Sequence, residues 1–244
     1  MKLIKWIAIF LLLLLICVSS CMKILSKDLP QGIESPEVDV ITDKMLQAVN
    51  KPAWDSLKYI KWTFFRGKHH YYWDKQQNRA IIEWGDNRVL MNLDQVDGIV
   101  YKNNVLQEGE DKAKLIDKAW NIWCNDSFWL CAPYKVKDPG TKREIVKEEG
   151  KIGLKVTYDG GGVTPGDVYL WWLDDKYFPE SWQMWVKILP VKGVRSTWEK
   201  WETMPGGAMI STHHETGKIK MSLSNVAAGT TPESIGKKIS DFDL

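Results

Sequence analysis

Residues 60–102 read IKWTFFRGKHHYYWDKQQNRAIIEWGDNRVLMNLDQVDGIVYK. Here β-branched and aromatic residues come in short runs, with turn residues between most of them. Lys61–Phe65, His69–Trp73, Arg79–Trp84, Val89–Leu93 and Gly98–Lys102 are predicted strands. Arg66-Gly67, Gly85-Asp86-Asn87 and Lys102-Asn103-Asn104 are predicted turns. Short strands at even spacing predict an antiparallel meander.

On the N-terminal side the period changes to helical. Ser35-Pro36-Glu37 reads as a helix start, with Ser at the N-cap, Pro at the first helical position and an acid in the first turn. Ile41, Met45, Ala48 and Val49 then make one apolar stripe, which Pro52 stops. On the C-terminal side Glu108–Trp123 predicts an amphipathic helix, with Leu115, Ile116, Ala119, Trp120 and Trp123 along one face. Asn125-Asp126-Ser127 is expected to end it.

A second strand series follows: Thr141–Glu148, Gly153–Tyr158, Asp167–Leu173, Trp182–Ile188, Gly193–Thr203, Ala208–Glu215 and Ile219–Val226. Glycine and proline runs break it, and the polar tail after Ala228 is expected to fray. The class is therefore α+β.

The first residues have a different character. Lys2 and Lys5 precede an unbroken apolar run from Trp6 to Val18. As a helix this run spans about 20 Å, short of a ~30 Å hydrocarbon core, and it fits the apolar part of a secretion signal. Val18-Ser19-Ser20-Cys21 resembles the lipobox of bacterial lipoproteins. That resemblance implies cleavage before Cys21, a diacylglycerol on its thiol and an acylated new N-terminus. Several chains matter, because a single acyl chain binds membranes only marginally. We therefore expect a signal over residues 1–20, a tether over 21–36 and one domain over 37–244. Met22 stands where Asp would retain a proteobacterial lipoprotein in the inner membrane. The expected location is the outer membrane, facing the periplasm.

Of 33 basic residues, Lys2 and Lys5 leave with the signal, so 31 remain against 31 acids. A neutral mature chain offers no basic field for nucleic acid, and no such partner is expected. A domain of this length buries roughly 70% of its unfolded surface and needs no disulfide or metal to fold. Cys124 and Cys131 are the cysteines left in an oxidising compartment once Cys17 is removed and Cys21 acylated. A disulfide between them and a pair of buried thiols both remain open.

The mature chain keeps 13 of the 14 tryptophans. Side chains alternate faces in a strand, so Trp62 shares a face with Phe64, and Tyr169 with Trp171, while Trp172 points the other way. Trp198 and Trp201 are expected on opposite faces unless a bulge intervenes. A sheet with one wet face should not carry aromatics on both. Either both faces are covered, or one lines a cavity. The simpler alternative is a core filled between sheet and helices. For the set as a whole we expect an apolar groove, with Trp62, Phe64, Trp73, Trp84, Trp120, Tyr169, Trp171 and Trp182 as ligand-binding residues.

Catalytic chemistry is sparse. His69-His70 and His213-His214 can each send at most one ring inward. His-x-x-x-His spacing is absent, as is a Gly-x-Ser-x-Gly elbow. Gly160-Gly161-Gly162 lacks a following Lys-Ser/Thr and reads as a hairpin loop. The acid pairs Asp174-Asp175, Glu148-Glu149 and Glu199/Glu202 read as solvated surface. No enzyme, metal or cofactor is expected.

The order of elements, an anchor Cys, a helix, a meander, an amphipathic helix and a second strand series, resembles the LolA/LolB-like fold of periplasmic lipoprotein carriers. Anchoring places the chain nearer to LolB. More specifically it resembles a group of uncharacterised LolA-like bacterial lipoproteins over about residues 38 to 228. The matching stretches are Lys44-Met45-Leu46 through Trp54, Lys58 to Phe64, Tyr72-Trp73-Asp74, Asn125-Asp126-Ser127-Phe128-Trp129-Leu130 and Asp138-Pro139-Gly140. Gly161-Gly162-Val163-Thr164-Pro165-Gly166-Asp167, running into Tyr169-Leu170-Trp171, completes them. The resemblance implies a strongly curved antiparallel sheet, an incomplete β-barrel whose concave face is covered by helices and takes acyl chains. The expected function is binding of acyl chains or another lipoprotein. The alternative is a glycan-acting enzyme or a carbohydrate-binding envelope protein.

Overall fold

The computed structural model describes Trp6, Phe10, residues 22–148 and residues 150–244. The expected cleavage site, the lipid-bearing Cys21 and Glu149 lie outside the described residues. Among the described residues no helix is long and apolar enough to cross a membrane.

Two short helices precede the sheets, α1 (Glu37–Ala48) and α2 (Lys51–Ser56). Pro36, not Ser35, sits at the N-cap of α1, and no side chain caps it. Asn50 turns the chain in the left-handed region and accepts the Ala53 N–H, starting α2 with Pro52 in its first turn. Proline therefore helps to open a second helix as well as to separate it from the first.

The meander forms as read: β1 (Tyr59–Phe64), β2 (His69–Asp74), β3 (Arg79–Trp84), β4 (Asn87–Asn92) and β5 (Asp97–Lys102). Each pairs antiparallel with the next. Asn103 and Asn104 both take positive φ, as a two-residue hairpin demands, and return the chain into β6 (Val105–Leu106). Sequence patterning missed that two-residue strand.

Helix α3 (Gly109–Cys131) runs straight through the Asn125-Asp126-Ser127 stop expected for it. Polar residues end helices when solvent or local turns satisfy them. Here Asp126 is buried and bonded to β2, and Trp129 and Leu130 beyond it are buried too. Tertiary packing outweighs the local signal.

The second series gives β7 (Thr141–Glu148), β8 (Lys151–Tyr158), β9 (Asp167–Leu173), β10 (Pro179–Trp185), β11 (Val194–Thr197), β12 (Glu199–Thr203), β13 (Met209–Thr216), β14 (Ile219–Ser222) and β15 (Ser224–Gly229). Three antiparallel sheets result, in the orders β15-β1-β2-β3-β4-β5-β6, β11-β10-β9-β8-β7 and β12-β13-β14. Single residues link them along the chain. Trp198 separates β11 from β12, and Leu223 separates β14 from β15. No ladder joins β6 to β7 among the described residues, so no barrel closes. The fold is α+β, built from large antiparallel sheets and one long helix.

The expected single strand Gly193–Thr203 is thus broken at Trp198. Lys200 adopts a φ of 50°, and this irregularity sets Trp198 and Trp201 side by side, their centroids 6.0 Å apart.

One face of the sheets meets α1, α2 and α3 in a common apolar core. The opposite faces are covered as well. Ile235 and Phe242 of the C-terminal segment pack on Tyr59, Ile81 and Leu90 behind the meander. The tail expected to fray is therefore docked, because those two apolar side chains anchor it. Behind the second sheet, Val146, Leu170 and Trp172 pack together with Trp185. Residues of the expected tether run against this part of the fold. Lys27 N–H donates to the Lys192 carbonyl at 3.0 Å, and Ile33 bridges Ile145 at the outer edge of β7.

Candidate functional site

Of the eight aromatic residues expected to bind a ligand, four lie in the interior and four are half-buried at its edge. Trp62, Phe64, Trp171 and Trp182 are buried in the common core, and Trp73, Trp84, Trp120 and Tyr169 pack against it. The pairing of faces holds: Trp171 points into this core and Trp172 to the opposite side. The interior is filled by rings from the helix and the sheets. Trp182 lies 5.6 Å from Phe128, 4.9 Å from Trp129, 4.7 Å from Tyr169, 4.9 Å from Trp171 and 5.0 Å from Trp198, centroid to centroid. Trp62 stacks on Tyr71 at 4.6 Å and meets Trp123 of α3 at 5.5 Å. On the side of the common core, covered faces account for the aromatics, whereas Trp172 and Trp185 on the far face of the second sheet border a hollow.

This interior is unusual in its polar accounting. The indole N–H groups of Trp62, Trp73, Trp171, Trp182 and Trp198 are buried without a hydrogen-bond acceptor among the described residues. Each unpaired buried donor costs about 1–3 kcal/mol, and such groups are rare in native proteins. The rings around them offer π faces, which are weak acceptors.

Helix α3 is tied to the meander by a polar latch that sequence reading missed. His69 Nδ1 lies 2.7 Å from Asp126 Oδ2, and the Tyr71 hydroxyl donates to the same oxygen at 2.5 Å. Asn125 holds the other carboxylate oxygen at 2.7 Å. Burial, then the Asp126 charge, raises the Tyr71 hydroxyl far above its ordinary range. Residues 69 and 71 share a strand face, which was legible. Their helical partner at 126 was not, because that position was read as a helix stop.

Each histidine pair sends one ring inward, as strand alternation requires. His214 is wholly buried against Trp198 and Trp129. Desolvation lowers its pKa to about 4, although the Thr197 carbonyl, 3.0 Å from Nδ1, pulls the other way. His213 faces outward with Glu199 and Glu215, their ligand atoms within 4.8 Å of one another. These three side chains could hold a metal ion, but Lys220 already pairs with Glu215 at 3.0 Å and Ser222 engages His213 Nδ1.

Cys124 and Cys131 are free thiols, not a disulfide. Both sit on α3, where seven residues of helix separate their Cα atoms by about 10 Å, beyond the roughly 7 Å a disulfide can bridge. Burial pushes their pKa values up to about 12 and about 11, so neither is a reactive thiolate.

A hollow of about 480 Å³ lies on the far side of the second sheet. Trp172, Gln183, Trp185 and Arg195 contribute from β9, β10 and β11. The N-terminal strap roofs it through Lys27, Asp28 and Pro30, and Trp185 Nε1 donates to the Lys27 carbonyl at 2.8 Å. Glu148 and Lys151 close one side. Gln183 is pinned: it accepts Trp172 Nε1 at 2.9 Å and donates to the Gly193 carbonyl at 3.3 Å.

No family model matches the chain, and no curated protein matches it. Among solved structures, a DUF1329 family protein from Desulfovibrio piger is similar at 14% identity, covering 84% of this chain and 97% of its own, with a TM-score of 0.46.

Proposed function

We propose that the chain is a lipid-anchored envelope protein that binds an acyl chain, free or borne by another lipoprotein, between α3 and the sheets. It does so without catalysing a reaction. The observation that carries this reading is the set of buried indole donors lacking acceptors. The carbonyl end of an acyl ester or fatty acid is an acceptor, and its chain suits aromatic walls. Aromatic rings pack closely between α3 and the sheets in this structure, which the proposal treats as the closed state. Entry then requires α3 to swing off the meander, breaking the latch at Asp126. The LolA-like incomplete barrel, the anchor at Cys21 and an outer-membrane location facing the periplasm belong to the same proposal. Support for them is the order of elements and the lipobox-like start.

Native mass spectrometry of the chain extracted in mild detergent tests it, together with tryptophan fluorescence during titration with a spin-labelled fatty acid. The expected result is a lipid adduct and saturable quenching. Reproducibly bare protein, with fluorescence unmoved by the titrant, would reject acyl binding.

A further inference from the structure

The hollow under the N-terminal strap is independent of the aromatic interior, since it lies on the other side of the second sheet. Its chemistry is mixed. Lys27, Lys151 and Arg195 bring positive charge, and Asp28 and Glu148 bring negative charge. Two carboxylates at the rim disfavour a phosphate or any other compact anion, and a charged rim disfavours an acyl tail. Indole surface beside fixed planar polar groups suits a different ligand. Sugar rings present apolar C–H faces to an indole and hydroxyls that both donate and accept.

The site is also ordered for that task. Gln183 cannot rotate, because both ends of its amide are engaged. Arg195 stands opposite Gln183 in the β10–β11 ladder, so the two side chains share this face. Its Nε is held by the Ser181 hydroxyl at 3.0 Å, while its terminal nitrogens have no hydrogen bond among the described residues. A guanidinium oriented in this way presents a donor fork. Trp185 is locked to the strap through its indole N–H, which leaves the ring as a wall. The volume falls in the range of small-ligand sites, about 300–1,000 Å³.

We infer that this hollow is a saccharide-binding site for a mono- or disaccharide, with Trp172 and Trp185 as ring surfaces and Gln183, Arg195 and Glu148 as hydroxyl partners. The saccharide is either free or carried as the headgroup of a glycolipid.

The test is calorimetric titration of the detergent-solubilised mature chain with N,N′-diacetylchitobiose and with maltose. Flotation with phosphatidylcholine vesicles, with and without glycosyl diacylglycerol, supplies the second source. Saturable binding in either arm is expected, and the arm that responds identifies the source. Arg195→Ala and Trp185→Ala should each weaken it by roughly tenfold or more, while Trp185→Phe retains most of it. Arg195 is exposed, so its variant reads the site without threatening the fold. No saturable binding in both arms overturns the inference. So does binding that neither alanine variant changes. The outcome is separable from acyl binding, which these variants should leave intact.

Discussion

Asp126 on α3 and Tyr71 on β2 share a hydrogen bond of 2.5 Å deep in the molecule, and His69 reaches the same carboxylate oxygen at 2.7 Å. This buried carboxylate joins the long helix to the first sheet inside an apolar contact, while Lys112 of α3 pairs with Asp97 of β5 at 2.9 Å nearer the surface. The buried point at Asp126 is where helix and sheet can be uncoupled by a small change.

Asp126→Ala should therefore destabilise the chain markedly. It strands the Tyr71 hydroxyl and the His69 ring in a buried position, at a cost of about 3 kcal/mol. For a chain of this size that lowers Tm by about 6–12 °C. Asp126→Asn keeps an acceptor and should lose less. Thermal melts of the two variants check the ranking, and equal losses would contradict it. Under the acyl-binding proposal Asp126→Asn should also speed quenching by a spin-labelled fatty acid.

His214 should make stability depend on pH in the mildly acidic range. The fold holds the ring neutral, with a pKa lowered to about 4 from its ordinary 6.5. Between those values the unfolded chain binds the proton and the folded chain does not, so acidification favours unfolding. This contribution is intact above about pH 6.5, falls away towards pH 4 and changes no further below it, for a total of about 3 kcal/mol. Chemical denaturation of the wild type and His214→Gln across this range should show a shallower slope for the variant. Superimposable slopes would exclude His214 as the cause.

Phe242 should be a structural residue despite its place near the end of the chain. It is buried against Tyr59, their rings 6.1 Å apart, and Arg79 donates to its carbonyl at 3.2 Å. Phe242→Ala should cost about 3 kcal/mol, or less if the segment simply detaches. Hydrogen exchange then tells the two apart. Faster exchange confined to residues 230–244 marks detachment, and wild-type exchange throughout would show that the segment does not depend on this ring.

The cysteines should respond to unfolding and not to reduction. Under the lipoprotein proposal, in which Cys17 is removed and Cys21 acylated, the denatured chain should titrate with two free thiols, from Cys124 and Cys131, whether or not a reductant was added first. Native chain should react slowly, since both thiols are buried in whole or part and neither ionises near neutral pH. Detecting both thiols only after reduction would mean that they are paired.

Tyr134 should matter more than a loop aromatic usually does. It stacks on Trp54 at 4.3 Å, and its hydroxyl accepts the Met209 N–H at 2.9 Å while lying 2.6 Å from the Met209 carbonyl and 2.8 Å from that of Val49. Tyr134→Phe removes the buried hydroxyl that ties these groups together, although the Met209 N–H keeps the Val49 carbonyl at 3.2 Å. A loss of about 1–3 kcal/mol is expected, read as a lower denaturant midpoint with an unchanged slope.

Much of the architecture is legible as pattern. Arg79–Trp84, Thr141–Glu148 and Asp167–Leu173 match their predicted bounds to the residue. Alternation over one strand is a local property, set by backbone geometry. The opposed faces of Trp171 and Trp172 follow from it without further information. The misreadings share one cause. Asn125-Asp126-Ser127 is a turn only if nothing buries it, and the residues after Ala228 fray only if nothing holds them. In each case the deciding partner lies far off in the chain.

Period, turn residues and composition were enough to establish an α+β chain with two strand series, a long amphipathic helix and ring-bearing strands, because those signals act over a few neighbouring residues. Whether the rings enclose a space or fill it, which carboxylate meets which imidazole, and that a strap roofs a polar hollow depended on contacts between residues tens to more than a hundred positions apart. Such contacts arise from the packing of whole elements against one another, and no short window of sequence contains them.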